Sequence, residues 1–294
     1  MKPRVFPAAP AARLAAVRIA VGLFGLIYLF VLVPGMLRLS QLPPERFAPV
    51  GPLHLFSVPP SALAVGSTWV LAVVSAVGFI RGHRVLGLVH AATLLLLTSH
   101  RSSFGMIFHT DNLLVVHTGV LALAPSTARA KLDDLEPSPR AGWPLLLMSW
   151  LTALTYFLAG WAKVQKLGLS WTEGEVLMGH IAYDALRKEA VGSLYSPLGV
   201  FLLGFPWLFA PLSTLSLVLE LGAPLAPWNR RIGQLWAIGM WSFHLGVAAM
   251  MLIGFIYPLS GVAYLSFFPV ERLAARISVS LRRLRALRPD HAPR

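Results

Sequence analysis

Long apolar runs recur along the whole of this chain, and they decide which folds are open to it. Each approaches the ~20 residues an α-helix needs to cross the hydrocarbon core of a bilayer. Only 13% of the residues are charged, where a soluble domain carries about 25%. The expectation is an all-α, polytopic integral membrane bundle. Eight runs are candidate spans: roughly 14–34, 61–80, 84–99, 111–125, 143–164, 205–226, 232–253 and 255–269. The first is longer than a signal peptide's apolar core, no small-residue cleavage site clearly follows it, and further spans come after it, so it reads as a retained helix. The apolar stretch from Leu194 to Phe205, bracketed by Pro197 and Pro206, reads as an interfacial or re-entrant piece.

The net charge of +13 could suggest nucleic acid, but the cations cluster in short connections and in an arginine-rich tail. On the eight-span reading, eighteen of the twenty-five lysines and arginines fall on one side, and the rest include Arg38, Arg46, Arg101, Lys163 and Lys166 on the other. The positive-inside rule then makes both termini cytoplasmic. Residues 1–270 form the transmembrane domain on this reading. Residues 271–294 form a basic amphipathic tail, with Leu273, Ile277, Leu281 and Leu284 on one stripe, suited to an anionic inner leaflet. Two connections on the outer side are long: the proline-rich 35–60, expected to be extended, and 165–196, expected to carry a short amphipathic helix. The chain has no cysteine, which excludes disulfides, thiolate nucleophiles and cysteine metal sites. Its histidines show no zinc spacing, so no metal is expected, and there is no P-loop, dinucleotide fingerprint or nucleophile elbow.

Three polar constellations interrupt the apolar background. In the fifth run, Tyr156, Gly160 and Lys163 share one helix face, and Gly160 leaves a notch beside the lysine for a neighbouring helix or a flat ligand ring. Lys163 has two readings: a snorkelling side chain at a helix end, or an intramembrane functional group. The second constellation is His100-Arg101 with His109, Asp111 and Asn112, where Asp111 is either a solvated helix cap or part of a site. The third is Glu220 and His244, read as a buried pair between the sixth and seventh spans, either structural or functional. His90 and His117 read as core histidines.

The run Tyr156-Phe-Leu-Ala-Gly-Trp-Ala-Lys163, with Trp171 and Gly174 beyond it, resembles the vitamin K-dependent gamma-carboxylases. More broadly it resembles the horizontally transferred transmembrane (HTTM) domain, as do the Glu220-Leu-Gly-Ala-Pro224 run and His244. The likeness extends over nearly the whole chain. It implies that Lys163 is a base that deprotonates a vitamin K-like quinol, with Tyr156, Gly160, His109, Asp111 and Asn112 lining the cofactor site. A desolvated lysine gives up its proton more readily, as a general base near neutral pH requires. Where the carboxylases have an Asn-His pair at the start of the fourth span, this chain has Asp111-Asn112, and only a short tail follows the last span. The resemblance therefore implies the shared scaffold, in a bacterial inner membrane, more than glutamate carboxylation itself. The expected partners are membrane lipids and a peptide, protein or lipid substrate modified at the outer leaflet. Two rivals belong to other classes: a non-catalytic membrane subunit that binds a partner or assists its export, and a transporter. The transporter is disfavoured by the lack of paired broken helices in two matching halves.

Overall fold

A computed structural model describes residues 7–273 and 275–276. Among the described residues the fold is all-α apart from one pair of two-residue strands, and the chain divides into two compact units: Met1–Met148 with Phe268–Arg294, and Ser149–Phe267.

In the first unit, β1 (Ala9–Pro10) leads into α1 (Ala11–Leu39), followed by α2 (Ala62–Ile80), α3 (Arg84–Ser102) and α4 (His109–Leu123). Successive helices run antiparallel. Gly22 meets Phe79 and Ile80 at one end of the α1–α2 pair, while the Trp69 indole donates to the Leu29 carbonyl further along. Small residues set the spacing: a Cβ on Gly78 would lie 2.2 Å from a Leu86 side-chain carbon. Arg18, buried in α1, donates to the carbonyls of Leu121 and Pro125 and to the Thr127 hydroxyl, supplying donors that the end of α4 lacks. β2 (Pro137–Ser138) pairs antiparallel with β1 just before α5 (Pro139–Leu167) begins.

Apolar residues cover the outside of these helices as well as the inside. Leu23, Ile27, Phe30 and Val31 of α1 are exposed, while Leu14, Val17, Val21 and Leu29 are buried. A helix that is apolar all round suits lipid on one face and protein on the other. Among the described residues, three helical segments are long and apolar enough to cross a membrane: Ala11–Leu39, Ala62–Ile80 and Pro139–Glu173.

The second unit continues α5 and adds α6 (Glu175–Ala190), α7 (Pro197–Leu202), α8 (Phe209–Leu221), α9 (Arg230–Met251) and α10 (Ile256–Leu259). Asn229 caps α9 by accepting from the Arg231 and Ile232 amides. At its other end, Lys188 of α6 donates to the Met251 carbonyl and Ser196 to the Ala249 carbonyl at 2.5 Å. These bonds tie the long 165–196 connection to the C-terminal end of α9.

Two sequence expectations need correction. Residues 35–60 are not wholly extended, because α1 runs through Pro34 to Leu39 and 3-10 turns form at Pro44–Arg46 and Gly51–Leu55. The eighth run, 255–269, is not a continuous helix. The positive-φ Gly261 separates the four-residue α10 from a 3-10 turn at Val262–Phe267. It returns antiparallel along α9: Phe255 packs on His244, Leu259 accepts from the Trp241 indole, and Phe267 packs on Trp236. Here Tyr257, Ala263 and Tyr264 are almost wholly buried. The tail stripe lies outside the described residues except at Leu273.

Candidate functional site

Lys163 points into the second unit. Its Nζ donates to both carboxylate oxygens of Glu220 at 2.5 Å and lies 4.8 Å from the centre of the Trp171 ring, with Phe243 at 6.0 Å. The Glu220 side chain is 4% exposed and that of Lys163 is 22% exposed, so the carboxylate is shut in while the lysine side chain keeps some exposure. Gly160 makes this meeting geometrically feasible. A Cβ there would fall 2.7 Å from the Glu220 Cβ, so only glycine lets α5 and α8 approach closely one turn before the lysine. The notch is thus filled by a helix, which removes Gly160 from the expected ring-binding surface. Trp171 is fixed in turn, its indole donating to the Ser213 carbonyl and the Ser216 hydroxyl on α8.

About two helical turns before Lys163 on the same face, Tyr156 joins a second group. Its hydroxyl lies 2.8 Å from His244 Nε2 and 2.6 Å from the Tyr264 hydroxyl, and the Trp236 ring meets both tyrosines. His244 is buried, and its Nδ1 has no partner. The chain His244–Tyr156–Tyr264 can direct its hydroxyl protons either way, so a proton can shift along it without moving heavy atoms. The expected Glu220–His244 pair is not formed: Glu220 is taken by Lys163 and His244 by Tyr156. Spacing along one helix gives its face but not which residue of the next helix meets it.

The other expected site residues belong to the first unit. Asp111 is buried, which overturns the solvated-cap reading. It accepts from the Tyr28 hydroxyl at 2.6 Å and from Arg101 Nη1 at 2.9 and 3.1 Å, while the Arg101 guanidinium lies 3.4 Å from the centre of the Phe108 ring. Asn112 is exposed and lines a cavity of about 200 Å³ with Thr98, Ser99 and Ser102. His109 opens α4, and its side chain lies outside the described residues. His90 and His117 are core residues. Sequence reading missed Tyr28 and Tyr264. The available signal was a tyrosine within an apolar run, since a buried phenol usually finds a hydrogen-bond partner. Among the described residues no cluster of three His, Asp or Glu side chains has a metal-binding arrangement.

Comparison with protein-family models, with curated proteins and with solved structures gives no match to this chain.

Proposed function

We propose that this chain is an HTTM-type membrane protein that uses a membrane quinol, or another lipid-soluble cofactor, to modify a peptide or lipid, with Lys163 handling the proton. One observation carries the reading: Lys163 turns to a buried carboxylate and an aromatic ring. The residues present suit a flat cofactor. Trp171 and Phe243 offer ring surfaces around Nζ, and His244 Nδ1 is a buried polar atom without a partner. When bound, a quinol supplies two hydroxyl protons and two reducing electrons.

The pairing with Glu220 gives Lys163 a way to act as a base. As an ammonium, Nζ cannot accept a proton. Passing one Nζ proton to a Glu220 oxygen breaks an N–H bond, makes an O–H bond and leaves a neutral amine beside a carboxylic acid. Two opposite charges vanish from a poorly hydrated site, which offsets the transfer. The amine then has a lone pair free to take a proton, and Tyr156, His244 and Tyr264 provide a second route for protons.

We further propose eight crossings with both termini cytoplasmic, the last made by the broken segment after α9. Its antiparallel return along α9 supports an even count. So does the ion pair of Arg13, in the first turn of α1, with Glu271 at 2.7 Å, which sets the start of the first span beside the residue that follows the last.

Quinone extraction from the purified protein, followed by mass spectrometry, tests the reading. One quinone per chain that is lost in Lys163→Ala is expected. If the wild-type protein yields no lipid cofactor, the quinol reading falls and the partner-binding alternative takes its place.

A further inference from the structure

We propose that a groove at the C-terminal end of α1 binds one anionic phospholipid, its phosphate held by Arg38 and Arg101. The groove has a volume of about 470 Å³, and Val31, Leu32, Leu39 and Leu42 supply its apolar wall.

Depth is the first argument. Between Arg18 and Arg38, α1 runs for nineteen residues without Lys, Arg, Asp or Glu. At 1.5 Å per residue that is about 28 Å, close to the ~30 Å of a hydrocarbon core. Arg18 is engaged through Nη1 and Nη2 with the end of α4 and the turn after it. Arg38 therefore lies one hydrocarbon thickness away, at headgroup level, where Val31 and Leu32 are still deep enough to meet an acyl chain.

Charge is the second argument. Among the described residues no carboxylate lies within ion-pair distance of Arg38. Arg101 is paired with Asp111, which cancels its charge and orients it through Nη1, leaving Nε and Nη2 without partners. The groove thus offers free N–H donors from two guanidinium groups with a net charge of one. That matches a phospholipid carrying one net negative charge, such as phosphatidylglycerol. Phosphatidylcholine has the same phosphate but brings a quaternary ammonium that this excess charge repels.

The test is native mass spectrometry of the delipidated full-length protein in detergent, titrated with phosphatidylglycerol or phosphatidylcholine. Wild-type protein should hold its first phosphatidylglycerol more tightly than its first phosphatidylcholine. Arg38→Gln, at an exposed position, should weaken that first site about five-fold, the factor expected for one near-surface arginine. Arg84→Gln removes the same charge at the far end of α3, about 25 Å from Arg101 along the helix, and should leave the site unchanged. Equal losses in the two variants, or equal affinity for the two lipids, would overturn the proposal. So would displacement of the lipid by low-millimolar inorganic phosphate, which would mark a site for the free anion.

Discussion

Gly160 shows how much of the candidate site rests on one missing methyl group. Alanine there would place its Cβ 2.7 Å from the Glu220 Cβ and 3.2 Å from a Leu221 side-chain carbon, so α5 would have to move off α8. Overpacking of this kind costs about 1–3 kcal/mol. Gly160→Ala should therefore lower the unfolding midpoint in detergent, and an unchanged midpoint would mean that the two helices are not in close contact. The sequence showed half of this arrangement. Tyr156, Gly160 and Lys163 are legible as one face because helical periodicity is local. Glu220 stands out as a carboxylate in an apolar run, but its partner depends on the register between α5 and α8, which is set by close approach at a glycine and carries no linear signature. The same gap explains why Asp111 could be read as a solvated cap, since its partners Tyr28 and Arg101 lie 83 and 10 positions away.

Among the elements, α1 to α5 and α9 are legible because long apolar runs have few alternatives in a bilayer. The segment after α9 is not, since hydropathy sums are blind to whether an apolar stretch is one helix or a buried return in short pieces. Gly254, Pro258 and Gly261 are the signal that could have been weighed against its hydrophobicity. On the 165–196 connection, α6 is fastened to α9 through Lys188, and Asp184 holds both Lys188 and Arg187 at 2.8 and 3.0 Å. Partial burial alone would raise the Asp184 pKa, but hydrogen bonds from Lys188 and Arg187, with their charges, outweigh it and hold the carboxyl below its usual range. A carboxyl depressed in the folded state adds stability that is complete above the unfolded value near 3.9 and fades as pH falls through the folded one. The protection of the 175–190 amides, taken as the ratio of the intrinsic to the observed exchange rate at each pH, should hence be high at neutral pH and fall below about pH 4. In Asp184→Asn that protection should be low at both, and an acid response that survives this substitution would assign the effect to another group.

At the scale of the whole molecule, the topology and the orientation of Lys163 are separable claims. For topology, alkaline phosphatase fused after Gly174 should be active and a fusion at the C-terminus inactive. An active C-terminal fusion would contradict eight crossings with both ends inside. The orientation of Lys163 is the more central claim, because the proposed chemistry needs the lysine to face protein and not headgroups. A double-mutant cycle on unfolding free energy, with Lys163→Met, Glu220→Leu and both together, measures it directly. Lys163→Met strands a carboxylate whose side chain is 4% exposed and should cost more than Glu220→Leu, which leaves a longer, more flexible lysine side chain that is 22% exposed. The double variant should be much less damaged than the sum of the two, with a coupling of about 1.5–3 kcal/mol. Losses that simply add, to within about 0.5 kcal/mol, would show that Lys163 does not engage Glu220 and would contradict the account.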